Sequence, residues 1–129
     1  MRFLNSKLKI ENTILQNIAK KYGTPAYCYS YKQLRENIND FKKNFKSISP
    51  LICFAIKSNT NLNLIKEIKK FGLGADVVSM GELMLALKAG ISPKKIVFSG
   101  VGKTSKEINF ATDKNTVSYT HLTLPTSND

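Results

Sequence analysis

Six apolar residues in a row, Leu51-Ile52-Cys53-Phe54-Ala55-Ile56, end at Lys57 and the polar turn Ser58-Asn59-Thr60. No other stretch limits the fold so tightly. A strand with one wet face alternates apolar and polar residues, whereas an unbroken run suits a strand covered on both faces, as in parallel sheets flanked by helices. The residues that follow keep the rhythm such a sheet requires. Residues 61–71 set Leu62, Leu64, Ile65 and Ile68 at helical spacing. Gly72 and Gly74 then turn the chain back into a second strand over 75–78. A helix over 81–88, closed by Gly90, leads to a third strand over 95–99, and Thr104 with Glu107 forms a capping box for the next helix. Strand starts near Leu51, Gly74 and Lys95 recur about every twenty-two residues. The pattern predicts an α/β fold with a parallel sheet built from βαβ units.

Upstream, residues 10–21 carry Ile10, Ile14, Leu15 and Ile18 as a helical stripe that ends at Gly23 and Pro25. A short strand is expected over 26–29. Ser30 with Gln33 makes a capping-box start for a helix over 31–45, with Leu34, Ile38 and Phe41 on one face. Ser49-Pro50 then breaks the chain before the run that ends at Lys57.

Lys57 stands at the C-terminal end of its strand, the edge where βα barrels gather their chemistry. Two readings are open. A lysine amine that is partly desolvated loses its proton and captures a carbonyl as a Schiff base; the same side chain can also simply snorkel into solvent. Asp76 interrupts the otherwise apolar Ala75-Val77-Val78, where a carboxylate costs several kcal/mol unless it is paired, so it needs a partner. Bonding to loop amides near the strand end would suffice. Glu82 follows Ser79 by three residues, and local helix capping accounts for it. Ser99-Gly100-Val101-Gly102-Lys103 puts glycines at a strand-to-helix turn, a place that can cradle phosphate, but it falls short of a phosphate fingerprint and reads as a rim loop.

Charge and composition exclude several classes. The formal net charge of +11 and pI of about 9.8 raise the question of nucleic acid. Lysine outnumbers arginine by 18 to 2, however, and no aromatics interleave the basic residues. Guanidinium groups suit bidentate phosphate and base contacts better than ammonium groups do, so no nucleic-acid partner is expected. Cys28 and Cys53 are too few and too far apart for a disulfide scaffold or a zinc site, and both read as small core residues in apolar strands. The N-terminus lacks an apolar signal core and no segment has the length of a membrane span, so a cytoplasmic protein is expected. The last thirteen residues, 117–129, lose lysine and isoleucine and fill with threonine and serine. They resemble translated sequencing-adapter read-through and are expected to be foreign to the gene. Setting them aside removes the only histidine, His121, and with it any metal or histidine-base chemistry.

Three ordered segments carry a resemblance. Phe54-Ala55-Ile56-Lys57-Ser58-Asn59 is followed by Gly72-Leu73-Gly74-Ala75-Asp76-Val77-Val78-Ser79-Met80-Gly81-Glu82-Leu83 and then by Ile96-Val97-Phe98-Ser99-Gly100-Val101-Gly102-Lys103-Thr104. Together with Tyr22-Gly23-Thr24-Pro25-Ala26-Tyr27, they resemble the barrel-type pyridoxal-phosphate-dependent decarboxylases, most closely the branch that acts on diaminopimelate. The resemblance implies the opening part of a parallel (β/α)8 barrel. Residues 1–30 would lead in, 31–116 would form a partial pyridoxal-phosphate-binding barrel of about three βα units, and 117–129 would be a non-native tail. It further implies that Lys57 holds pyridoxal 5'-phosphate covalently and moves protons, that Asp76 receives the lysine ammonium when the Schiff base is exchanged, and that Glu82 lies near the site. The substrate would be a small amino acid, meso-diaminopimelate decarboxylated to lysine. Rivals are decarboxylases of ornithine, arginine or carboxynorspermidine, more remotely alanine racemase, and a non-catalytic barrel that carries the cofactor. The parent enzyme is expected to be a homodimer. Two positions depart from the family habit, Ser58 where alanine is common and Met80 where glycine is common. A full barrel needs roughly 250 residues, and the family's cofactor-stacking histidine, phosphate loop, ring-nitrogen acid and substrate-reading residues have no counterparts here. The chain is therefore expected to be an inactive, poorly soluble fragment.

Overall fold

Ahead of its first helix the chain forms an antiparallel meander that the sequence pattern did not announce: β1 (Arg2–Leu4), β2 (Lys7–Ile10) and β3 (Thr13–Ile14). The helical stripe expected over 10–21 is accordingly cut back, and α1 spans Leu15–Tyr22. The physical reason lies in the turn. Ile10 pairs with Thr13 across Glu11 and Asn12, and Glu11 sits at φ 52°, a left-handed conformation that sequence rules assign to glycine or asparagine. The computed structural model describes residues 2–4, 6–45, 47–100 and 102–118. They divide into two compact units, Met1–Ser49 and Pro50–Asp129.

In the first unit α2 spans Tyr31–Asn44 and buries Ile38. Its start is capped twice. Ser30 Oγ accepts from the Gln33 N–H at 3.0 Å, while the carboxylate of Glu11 accepts from the Ser30 hydroxyl at 2.7 Å and the Lys32 N–H at 2.8 Å. The Gln33 side chain turns instead to Asn37 Oδ1 at 2.9 Å, so Ser30 caps the helix without the reciprocal box. These donors, the Lys32 amide first and Ser30 next, pull the Glu11 carboxyl below its ordinary pKa. The strand expected over 26–29 does not form among the described residues: no segment pairs with it, and Tyr27 is 90% exposed. Cys28 is accordingly only half-buried and lies outside any strand.

The second unit is the parallel sheet. Strands β4 (Cys53–Ala55), β5 (Gly74–Val77), β6 (Ile96–Phe98) and β7 (Val117–Ser118) lie side by side in chain order, all parallel. Helices α3 (Leu62–Lys70), α4 (Met80–Lys88) and α5 (Ser105–Asp113) connect them, so the βαβ rhythm holds through three units. The apolar run delivers a shorter strand than its length suggests, because Ile56–Ser58 wind into a 3-10 turn. Each helix start is capped by its own side chain: Asn61 accepts from Asn63 N–H, Ser79 from Glu82 N–H, and Thr104 from Glu107 N–H in a full capping box. The sheet extends past the compositional break at residue 117, since Val97 pairs with Val117 and Phe98 with Ser118. Residues 119–129, His121 included, lie outside the described residues.

Strand alternation sorts the sheet into two faces. Phe54, Ile56, Ala75, Val77, Ile96 and Phe98 face the helices and meet Ile65, Leu83, Ala86 and Ala111 in one apolar core. Ile56, Ala75, Val77, Ile96 and Phe98 are wholly buried there. Fully burying a side chain of the size of Ile or Phe is worth about 1.5–3 kcal/mol. The register Cys53↔Gly74, Ala55↔Asp76 and Asp76↔Val97 puts Cys53, Ala55, Gly74, Asp76 and Val97 on the other face. Gly74 is required there: a Cβ would come within 2.1 Å of the Lys95 carbonyl oxygen and 2.9 Å of Cys53 Sγ. Among the described residues no helix is long and apolar enough to cross a membrane.

Candidate active site at the C-terminal edge of the sheet

Every residue singled out for chemistry falls at or beside the C-terminal edge of β4, β5 and β6. Lys57 is the middle residue of the 3-10 turn that follows β4, exposed, directly after the fully buried Ile56. The turn is braced on both sides. Ser58 Oγ–H donates to the Ala55 carbonyl at 2.7 Å, Asn59 N–H donates to the Ile56 carbonyl at 3.0 Å, and Asn59 Oδ1 accepts from Asn61 N–H at 2.9 Å. The Ser58 hydroxyl thus adds a bond beneath the lysine. The Lys57 ammonium has no hydrogen-bond or ion-pair partner among the described residues.

Asp76 stands in register with Ala55, two residues before Lys57, and is half-buried on the face turned away from the helices. Its partner is a side chain rather than a loop amide: Ser99 Oγ–H donates to Asp76 Oδ1. Ser99 belongs to the turn read from sequence only as a rim loop. The missing signal was register, because Asp76 faces Val97 and the residue two farther along β6 returns to the same side. Cys53, on the same face, has its thiol pKa pushed up, first by burial and then by the negative charge of Asp76.

Glu82 is spoken for locally. Its Oε2 accepts from the Val78 N–H at 2.9 Å while its own N–H donates to Ser79 Oγ at 3.3 Å. Glu107 does more than its capping box announces. Besides the Thr104 N–H at 3.0 Å and hydroxyl at 2.9 Å, its carboxylate accepts from the Met80 N–H at 3.2 Å, joining the loop after β6 to the loop after β5. Those donors, Thr104 before Met80, hold the Glu107 carboxyl below its ordinary pKa. Gly100 closes the seam, since a Cβ there would lie 2.5 Å from the Val78 carbonyl oxygen. Two open clefts of about 400 and 450 Å³ lie in the first unit, lined by residues such as Glu11, Ser30 and Glu36 and by Tyr22, Tyr27 and Tyr29. Neither cleft is lined by Lys57 or Asp76. Among the described residues no group of three His, Cys, Asp or Glu side chains could hold a metal.

The chain resembles known proteins over most of its length. The sequence profile described as pyridoxal-dependent decarboxylase, pyridoxal binding domain, matches residues 31–123. The diaminopimelate decarboxylase of Aquifex aeolicus is 44% identical over 113 residues, which cover 88% of this chain and 26% of that protein. Among solved structures, AQ1208 of Aquifex aeolicus superposes with a TM-score of 0.85 at 43% identity, over 90% of this chain and 29% of that one. The diaminopimelate decarboxylase of M. jannaschii, solved in complex with L-lysine, superposes with a TM-score of 0.83 at 35% identity, over 87% of this chain and 27% of that one. The chain spans about a quarter of the length of the curated relatives it matches.

Proposed function

This chain belongs to the pyridoxal-dependent decarboxylases, as part of their pyridoxal-binding domain, and we propose that within a full-length enzyme it serves the decarboxylation of meso-diaminopimelate to L-lysine. The observation that supports it most is the Lys57 ammonium, unpartnered on a braced turn at the strand edge and two residues beyond the strand position opposite Asp76. Pyridoxal phosphate requires an amine at a fixed distance from its aldehyde, a cradle for its phosphate and an acid toward its ring nitrogen. The residues present fit the first requirement. Lys57 would hold the cofactor covalently, and its side chain would carry protons to and from the reacting carbon. Once bound, the cofactor supplies the electron sink that makes loss of carbon dioxide feasible.

Asp76 supplies an anion on the same edge for the lysine ammonium whenever that amine is free. Its half-buried place strengthens this attraction relative to open water. Glu82 serves the rim: with its carboxylate committed to the Val78 amide, it shapes the loop between Asp76 and α4 rather than meeting substrate. We place the phosphate, ring-nitrogen and substrate contacts outside these residues, so the stretch alone should release no carbon dioxide. The tail over 117–129 we read as foreign to the gene from its composition, and sequencing the locus past codon 116 tests that.

The decisive assay supplies the full-length enzyme with meso-diaminopimelate, ornithine, arginine and carboxynorspermidine and follows carbon dioxide release. The proposal predicts that kcat/KM for meso-diaminopimelate exceeds the others. Preference for another substrate would reassign the branch, and cofactor binding with no release from any of them would make this a non-catalytic carrier.

A further inference from the structure

At the strand edge the Ser99 hydroxyl donates to Asp76 Oδ1, a side-chain contact between β5 and the end of β6 that takes part in neither a helix cap nor the sheet ladder. Ser99 is held in place by its surroundings. Its N–H donates to the Val77 carbonyl at 2.9 Å, extending the ladder between β5 and β6 by one bond. The next residue, Gly100, lies so close to Val78 that no side chain fits between them. Glu107 also fastens the Met80 amide to the cap of α5, tying the start of α4 to the start of α5. With the backbone held on both sides, Ser99 stays within hydrogen-bond reach of the carboxylate. A carboxylate gripped at one oxygen loses its freedom to roll about the Cβ–Cγ bond.

We propose that Ser99 is a positioning residue for Asp76, holding its carboxylate in one orientation toward Lys57. This rests on the reading of Asp76 as the partner of the Lys57 amine, and on nothing else in the proposed function.

The test uses the full-length enzyme and three readouts: the affinity of the apoenzyme for pyridoxal 5'-phosphate, the pH midpoint of the bound cofactor's absorbance band, and the thermal midpoint. Five variants suffice: Ser99→Ala, Ser99→Thr, Ser99→Cys, Asp76→Asn and the Ser99→Ala/Asp76→Asn pair. Asp76→Asn should shift the absorbance midpoint and weaken the cofactor. Ser99→Ala should shift the midpoint in the same direction and weaken the cofactor roughly tenfold, the lower end of what a hydrogen bond to a charged group is worth. Ser99→Thr, which keeps the hydroxyl, should restore both. Ser99→Cys preserves the volume with a poor donor and should follow alanine, which separates hydrogen bonding from packing even where Ser99→Ala folds badly. In the Asp76→Asn background, Ser99→Ala should add nothing. A Ser99→Ala or Ser99→Cys enzyme with normal affinity and midpoint, beside a shifted Asp76→Asn, overturns the positioning role. Additive effects in the pair overturn it too, since Ser99 would then act independently. An Asp76→Asn enzyme that is normal in both cofactor readouts defeats the reading of Asp76 itself, and this proposal with it.

Discussion

The two faces of the parallel sheet obey different rules. On the helix side every inward residue is apolar, from Phe54 and Ile56 through Ala75 and Val77 to Ile96 and Phe98, and the result is one dry core. On the other side, beside the apolar Ala55 and Val97, stand Cys53, Gly74 and Asp76, with Ser99 just past the strand end: a thiol, a bare backbone, a carboxylate and a hydroxyl. One face is interchangeable in detail so long as volume is kept. The other depends on particular atoms. A chain folded by the first can afford the second, and Lys57 joins the two, following a wholly buried isoleucine with an exposed amine.

This contrast should break most visibly on the core side. Phe98→Ala in the full-length enzyme should cost about 3–5 kcal/mol of stability, as aromatic-to-alanine changes in cores do. Thermal or denaturant unfolding measures it, and a loss below about 1 kcal/mol would deny the dry face its role. Gly74→Ala comes next. Its Cβ would meet the Lys95 carbonyl oxygen at 2.1 Å, so the strands must part, with an expected cost of about 1–3 kcal/mol.

Asp76→Asn sharpens the comparison by moving function rather than stability. Losing a charged hydrogen bond expressed in the transition state is worth about 1.5–3 kcal/mol, hence a fall of roughly ten- to a hundredfold in single-turnover decarboxylation. The thermal midpoint should stay near that of the parent. A normal rate with a lowered midpoint would move Asp76 to the structural side.

The smallest effect belongs to Glu107. Its carboxyl is held below the ordinary value of 4.5 by donors that exist only in the fold. Its contribution is therefore complete above about pH 4.5, declines as pH falls from there toward the folded pKa, and is absent below it. Comparing thermal midpoints of parent and Glu107→Gln across acidic pH should show a difference that shrinks as the solution is acidified. A difference that grows toward acid would reverse the sign and refute the seam between the rim loops.

The same division governs what could be read from the chain. The dry face was legible because each residue speaks for itself: an unbroken apolar run announces a strand covered on both faces, and apolar residues at helical spacing announce α3 and the face it buries. The βαβ order, the strand edge at Lys57 and the caps at Ser79 and Thr104 followed from such local signals. Contacts that depend on register or on unusual backbone were not legible. Ser99 meets Asp76 only once β5 and β6 are aligned, and Glu107 reaches Met80 across 27 positions of sequence. The meander at the N-terminus hid for the second reason, since Glu11 and Ser6 adopt left-handed turns, at φ 52° and 58°, without glycine. The strand expected over 26–29 failed because pairing belongs to neighbours and cannot be read from apolar residues alone.

Everything proposed for the polar face hangs on Lys57. Full-length enzyme loaded with pyridoxal 5'-phosphate, reduced with borohydride, digested and mapped by mass spectrometry should carry the pyridoxyl group on the peptide containing Lys57, and Lys57→Ala should carry none. A pyridoxyl mass on Lys66, Lys69 or Lys103 instead, with Lys57 unmodified, would contradict the account.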